Sequence, residues 1–346
     1  MIDNPALARR PGVLAHPLAD KWVRCDLCAH RCRIPPGRGG ICAVRVNDDG
    51  NLYTLVYGKA ITAHVDPMEK KPLFHFLPGS MIFSIATAGC NFHCDFCQNW
   101  DISQMSKGPH GQISGDAFPP GQVVAAARRT GCRSIAYTYS EPTIFFEYAY
   151  DVAQLAHKAG MKNVFVTNGY QTPETVALMK GVIDAANVDL KAFRDATYRK
   201  VCGARLQPVL DAITLMHEAG IWVEVTTLVV PGQNDSPGEL RDIAHFIAGV
   251  SPDMPWHISR FHPDYKMMDV GPTPKETLLR AVEVGKEEGL RYVYVGNLPG
   301  AGNEDTHCPS CGQTVIRRFG YSVRNELRGD TCPQCSAKLA IIVLPS

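Results

Sequence analysis

Along the middle of the chain, short runs rich in β-branched and aromatic residues alternate with longer segments of helical character. The short runs predict strands at Met81–Ala86, Ser134–Thr138, Asn163–Thr167, Asn187–Leu190, Trp222–Val229, Trp256–Arg260 and Arg291–Val295. The longer segments predict helices at Gln122–Thr130, Thr143–Ala159, Pro173–Gly181, Pro208–Ala219, Pro237–Ala248 and Pro274–Glu288. Pro173, Pro237 and Pro274 follow Thr172, Ser236 and Thr273, residue types that cap helix N-termini. Gly131, Gly160, Gly220, Gly249 and Gly289 stand where helices should stop. Seven strands alternating with six helices predict an α/β fold on a parallel sheet, closed by right-handed crossovers into a full or partial barrel.

In such a barrel the chemistry sits where the strands end. The residues at those ends are Gly89 with Cys90, then Ser140-Glu141-Pro142, Thr167-Asn168-Gly169, and Asp189 with Lys191. The later strands add Thr226 and Thr227, His257 and Arg260, and Gly296 with Asn297. Strand ends commonly carry turn residues, so the gathering of polar groups means more than any one of them. Asp189 and Lys191, two apart on a strand, point to the same face and could equally form a structural ion pair. His257 could be a satisfied core histidine.

The 346 residues allow two or three domains. Lys plus Arg is 35 and Asp plus Glu 34, a net charge of +1, which excludes a strongly basic nucleic-acid binder and an acidic solvating tail. Apolar residues at 45% and charged residues at 20% describe a globular chain. No apolar run reaches the roughly 18 residues of a membrane span, and Met1 to His16 shows no signal-peptide core. A cytoplasmic protein without membrane contact is the expectation.

There are 13 cysteines, and in a reducing compartment clustered cysteines read as metal ligands or catalytic groups. Cys25, Cys28, Cys32 and Cys42 form one group, Cys90, Cys94 and Cys97 a second, and Cys308, Cys311, Cys332 and Cys335 a third. Cys132 and Cys202 stand alone and read as small buried residues. The groups suggest three modules: a metal-binding module over 1–79, a barrel over 80–299 and a zinc ribbon over 300–346.

The middle group has the form C-x3-C-x2-C. Three thiolates can hold three irons of a 4Fe-4S cluster and leave the fourth iron open. A closed zinc site would need a fourth ligand, and His93, adjacent to Cys94, is awkwardly placed to serve.

With Phe96 before the third cysteine, this segment resembles the radical S-adenosylmethionine (SAM) enzymes. The resemblance implies that the open iron chelates SAM, and that SAM is cleaved to methionine and a 5′-deoxyadenosyl radical that abstracts hydrogen. Tyr57-Gly58-Lys59, Asp66-Pro67, Glu69-Lys70-Lys71-Pro72, His75-Phe76, Asp189-Leu190-Lys191 and Pro231-Gly232 resemble the group around pyruvate formate-lyase activating enzymes. The whole chain, with cysteine groups at both ends, most resembles the radical SAM member of the AmmeMemoRadiSam system. By that resemblance Glu141 takes the place of the carboxylate in the segment holding the SAM amino group, though the glycines usual there are absent. Phe96, Asn168, Asp189, Lys191 and His257 match positions lining the SAM pocket, with His257 near the ribose. A one-electron reductant such as flavodoxin or ferredoxin is implied. So is a protein or small-molecule substrate, with partner proteins of the AmmeMemoRadiSam system. A glycyl-radical activase is one form of this reading. The alternative of another class is a non-catalytic zinc-ribbon adaptor for a protein or RNA, against which the intact triplet and Glu141 count.

Cys308-x2-Cys311 and Cys332-x2-Cys335, with twenty residues between the pairs, fit a zinc ribbon, with rubredoxin-type iron as the alternative. Cys25-x2-Cys28-x3-Cys32-x9-Cys42 also offers four sulfurs, to zinc or to a second iron–sulfur cluster, with zinc slightly preferred. His30 within that loop reads as a bystander.

Overall fold

A computed structural model describes residues 9–108, 111–298, 300 and 302–343. The start of the Met1–His16 stretch and the module boundary at Pro299 lie outside the described residues. The barrel strands are β1 (Thr62–Pro67), β2 (Met81–Ala86), β3 (Ser134–Tyr137), β4 (Lys162–Thr167), β5 (Ala185–Asp189), β6 (Trp222–Val229), β7 (Trp256–Arg260) and β8 (Val293–Gly296). They form one sheet in chain order, parallel from β2 to β8, with β1 antiparallel to β2. Since β1 and β8 lie at the two ends of the sheet order, the barrel is partial, as expected.

The helices are α1 (Pro120–Arg129), α2 (Phe146–Lys158), α3 (Pro173–Met179), α4 (Gln207–Glu218), α5 (Pro237–Val250) and α6 (Lys275–Glu287). Each buries one apolar face against the sheet, as with Val152 and Ala156 of α2 or Ile243 and Ile247 of α5. Thr172 and Ser236 cap α3 and α5, accepting from the amides of Thr175 and Glu239. Thr273 does not cap α6. Its hydroxyl donates to the Val229 carbonyl at 2.6 Å and accepts from the Phe261 amide, tying β6 to the chain after β7. Gly131, Gly160, Gly220 and Gly289 have the positive φ of helix stops, whereas Gly249 lies inside α5, which runs past it to Val250.

A further correction concerns the N-terminal flank. The boundary expected at 79/80 cuts through the sheet, because β1 pairs with β2 from Thr62 opposite Ala86 to Pro67 opposite Met81. Its alternation was hidden by His64, Asp66 and Pro67 on an edge strand, where charge and proline are tolerated. The C-terminal module packs against the barrel. Its three short strands, Thr306–His307, Thr314–Phe319 and Ser322–Asn325, pack on residues from both edges of the open barrel. The Arg318 guanidinium donates to the carbonyl of Phe74 at 2.7 Å and the hydroxyl of Thr306 at 2.8 Å, and lies 4.3 Å from the Phe74 ring centroid. It stands 3.7 Å from Glu69, with both groups buried. His75 bridges the same seam, with one ring nitrogen 2.6 Å from the Ala340 carbonyl and the other 2.5 Å from the Tyr294 hydroxyl.

Candidate functional site

A cleft opens at the C-terminal ends of the parallel strands, with about 1490 Å³ of space free of protein atoms, its mouth included. Cys90, Cys94 and Cys97 line it together with Phe96, Glu141, Asn168, Asp189 and Lys191. Sequence reasoning assigned all eight to one site, and the fold brings them together because each follows or ends a parallel strand.

The loop carrying the triplet leaves β2 through Gly89, whose φ of +104° favours glycine. The amides of His93 and Asp95 donate to the carbonyls of Cys202 and Val201, at 3.1 Å each. Those carbonyls belong to Tyr198–Cys202, a wide helical turn closed by Gly203. A side chain at Gly203 would place its Cβ 2.0 Å from the His93 ring, so His93 packs on bare backbone. Within the loop the Phe92 amide donates to Cys90 Sγ at 3.3 Å, and Cys97 Sγ lies 3.3 Å from the Ser103 hydroxyl. Cys202, expected to be merely a buried residue, is buried against Cys94.

Glu141 is buried, and no ion pair reaches it among the described residues. Its Oε1 accepts from the Thr143 amide and hydroxyl at 3.0 and 2.5 Å and from the Thr167 hydroxyl at 2.7 Å. Its Oε2 accepts only from the Asn168 amide, at 2.8 Å, which leaves that oxygen room for another donor. Burial pushes its carboxyl above the ordinary range, partly offset by these bonds. The turn before it holds Tyr139 at a φ of +61°, a region that non-glycine residues rarely occupy. Tyr139 reaches into the barrel, donates to Asp66 and lies under the Lys71 ammonium, 4.3 Å from its ring centroid. The buried Lys71 binds Asp66 at 2.7 Å. Burial pushes its ammonium down to about 8 against the pull of that carboxylate.

Asn168 donates to Asn91 Oδ1 at 2.7 Å, and its Nδ2 stands 3.9 Å from Cys90 Sγ. Asp189 and Lys191 form a 2.9 Å ion pair, with the ammonium 5.8 Å from the Phe96 ring centroid. His257 does not belong to this set. Its backbone pairs with that of Thr226, which does line the cleft, but His257 itself is not among the lining residues. It is buried 2.7 Å from Glu224, whose carboxylate also accepts from the amides of Phe74 and His75. Its ring is taken up by the buried Glu224 carboxylate, and the core reading of His257 fits. Lys71, Tyr139 and Tyr321 also line the cleft. Sequence reasoning assigned none of the three, although Tyr139 follows β3 and Lys71 lies in the Glu69-Lys70-Lys71-Pro72 segment of the resemblance; Tyr321 comes from the C-terminal module.

The residues present fit an iron–sulfur cluster and a cationic ligand. Three thiols converge on the cleft, Ser140 Oγ is buried without a partner, and the Glu141 carboxylate lacks a counter-charge. At the C-terminal group, Cys308 and Cys335 stand 3.6 Å apart, and Cys311 and Cys332 3.7 Å. Zn–S bonds of about 2.3 Å in a tetrahedron set sulfurs about 3.8 Å apart, so this group can hold one metal ion.

An open parallel barrel with a thiol triplet after its first parallel strand defines a cluster-bearing α/β enzyme. The chain belongs to the radical SAM superfamily, whose profile matches residues 84–247. An uncharacterized protein of Methanocaldococcus jannaschii is 43% identical over 338 residues, 96% of this chain and all of that protein. The pyruvate formate-lyase-activating enzyme of Clostridium pasteurianum is 22% identical over 199 residues, 54% of this chain and 83% of that enzyme. A radical SAM methyltransferase from Sphaerobacter thermophilus shares the fold, with a TM-score of 0.52 at 17% identity, over 69% of this chain and 71% of that one. Membership implies a 4Fe-4S cluster and SAM. Among the described residues no helix is long and apolar enough to cross a membrane.

Proposed function

We propose that this enzyme cleaves SAM reductively at a 4Fe-4S cluster held by Cys90, Cys94 and Cys97, and uses the 5′-deoxyadenosyl radical to take a hydrogen atom from its substrate. The observation that carries the reading is the sharing of one cleft by the triplet and the uncompensated Glu141 carboxylate. The cluster supplies the electron and the open iron. The chain's own residues do the rest. Glu141 Oε2 accepts a charge-assisted hydrogen bond from the SAM ammonium, and Thr143, Thr167 and Asn168 hold that carboxylate still. Phe96, Asn168, Asp189 and Lys191 line the remainder of the SAM pocket, and the Asp189–Lys191 pair keeps the Lys191 ammonium beside Phe96. The C-terminal quartet holds zinc.

The barrel then spans the region from β1 to β8, with a cysteine module on either side. The similarity to activating enzymes, including the benzylsuccinate synthase activating enzyme of Thauera aromatica, supports a protein substrate and a flavodoxin- or ferredoxin-type reductant. The cysteine groups at both ends support the radical SAM role in the AmmeMemoRadiSam system. The test feeds deuterated candidate partner proteins with SAM and dithionite. Deuterium should appear in 5′-deoxyadenosine with the true substrate. Formation of 5′-deoxyadenosine that takes up deuterium from none of them, or from solvent alone, would contradict abstraction from a protein.

A further inference from the structure

Cys25, Cys28, Cys32 and Cys42 line a single small cavity of about 20 Å³. We infer that they hold an iron–sulfur cluster rather than zinc, and that it relays electrons to the rim triplet. The relay half of this inference rests on the rim reading above; the metal half does not.

Spacing separates the two metals. Among the described residues, the C-terminal quartet is the one group in which three or more possible ligand atoms all lie within 4.8 Å of one another. The N-terminal sulfurs share a void without closing to that span, and the rim triplet shows the same wider spacing. A cubane gives each thiolate its own iron, so its ligands stand farther apart than the corners of one ion's tetrahedron.

The lining carries buried donors with no protein partner. Asn91 is 1% exposed and its Nδ2 is unpaired, although its Oδ1 accepts from Asn168. Arg45, 2% exposed, also lines the void. It binds Glu147 at 2.8 Å through Nη1 and leaves Nε unpaired. Orphaned buried donors cost free energy, and the sulfurs of a cluster accept such bonds, which tune its potential.

The same lining meets the rim. Asn91 is the covalent neighbour of Cys90. The Ser106 hydroxyl donates to the Cys42 carbonyl at 3.0 Å. A Cβ on Gly89 would lie 2.8 Å from Val44, so the Cys42 loop and the rim loop touch at bare backbone. Lys107, bound to the Phe92 carbonyl at 2.6 Å, is within electrostatic reach of Cys42 on one side and Cys90, Cys94 and Cys97 on the other. In the relay, one electron enters the N-terminal cluster from a flavodoxin- or ferredoxin-class donor and passes on to the rim cluster. The N-terminal cluster returns to its oxidised state, the donor is oxidised by one electron, and no bond forms or breaks.

The metal half is tested in the full chain carrying Cys90→Ala, Cys94→Ala and Cys97→Ala, reconstituted anaerobically with ferrous iron and sulfide. About four irons and four sulfides per chain should remain, beside one zinc, with a paramagnetic resonance signal on reduction. Two zincs and no iron would overturn the assignment. The rim is absent from this variant, so a wild type that fails to cleave SAM would sink the rim reading without touching this one. The relay half is tested by stopped-flow reduction of the rim cluster with reduced ferredoxin. Cys28→Ser with Cys42→Ser should slow it more than tenfold, and an unchanged rate would overturn the relay. Asn91→Leu, which keeps every thiol, should shift the midpoint potential of the N-terminal cluster to a more negative value as a hydrogen bond to sulfur is lost. An unmoved potential would overturn the contact.

Discussion

The C-terminal quartet draws its sulfurs to 3.6 and 3.7 Å across a compact knuckle, whereas the N-terminal sulfurs ring a small cavity and do not close to within 4.8 Å of one another. Their neighbours differ as well. Around the first lie Arg318, His75 and Tyr294, which join the ribbon to the barrel edges. Around the second lie Asn91, Gly89 and Lys107, which belong to the loop of the rim triplet. Four cysteines therefore do not define a role. The separation of the sulfurs and the element they pack against distinguish the two groups, the first beside the seam of ribbon and barrel and the second against the loop of the rim triplet.

If the ribbon is a fastener, changes at its seam should cost stability and spare SAM cleavage. The largest such effect is expected for Arg318→Ala. It strips a buried cation from Glu69 and from the carbonyl of Phe74, and breaking a buried pair costs about 3–5 kcal/mol. Denaturant unfolding should show that loss while the protein that remains folded still makes 5′-deoxyadenosine. Loss of cleavage at full folding and full iron content would make the ribbon part of the catalytic machinery.

His75 sharpens the same contrast through pH. Burial pushes its imidazole down to about 4, although Glu224 pulls the other way. The unfolded chain takes up the proton near its ordinary value of about 6.5. The folded pKa is depressed, so its contribution is whole above about 6.5 and is lost as the pH falls toward 4. The total is about 3 kcal/mol. Denaturation midpoints of wild type and His75→Asn, compared across that window, should converge toward acid. Parallel curves would place His75 outside the seam energetics.

On the rim side the balance should reverse. Glu141→Gln removes the charge proposed to face the SAM ammonium, a loss of about 1.5–3 kcal/mol, which is a rise in dissociation constant of roughly 10- to 150-fold. It also turns an amide toward the Asn168 N–H that Oε2 now accepts, so the rim turn should loosen locally. Calorimetry with an assembled cluster reads the affinity, and equal binding would remove Glu141 from the SAM site.

The parts of this arrangement legible in the sequence are those that repeat. The βα alternation placed the strands from β2 to β8 within two residues at each end, and strand ends placed Glu141, Asn168 and Asp189 on one rim. The antiparallel β1 stayed hidden because an edge strand with His64, Asp66 and Pro67 carries no clean alternation. His257 was misplaced although its register partner Thr226 lines the cleft, because its ring pairs with the buried Glu224, a partner 33 residues away that no local pattern records. Lys71, Tyr139 and Asn91 meet their partners across long separations in the chain, which no local pattern records. The wider N-terminal sulfur spacing was illegible for the same reason: spacing along the chain gives the number of sulfurs and not the distance between them.

The most direct measurement on the rim triplet is the yield of 5′-deoxyadenosine from SAM under anaerobic conditions with dithionite. Wild type reconstituted with iron and sulfide should produce it, and Cys94→Ala should produce none, because the cluster loses a thiolate that the loop from Gly89 to Cys97 supplies once. Equal yields from the two proteins would contradict the assignment of Cys90, Cys94 and Cys97 as the catalytic cluster site.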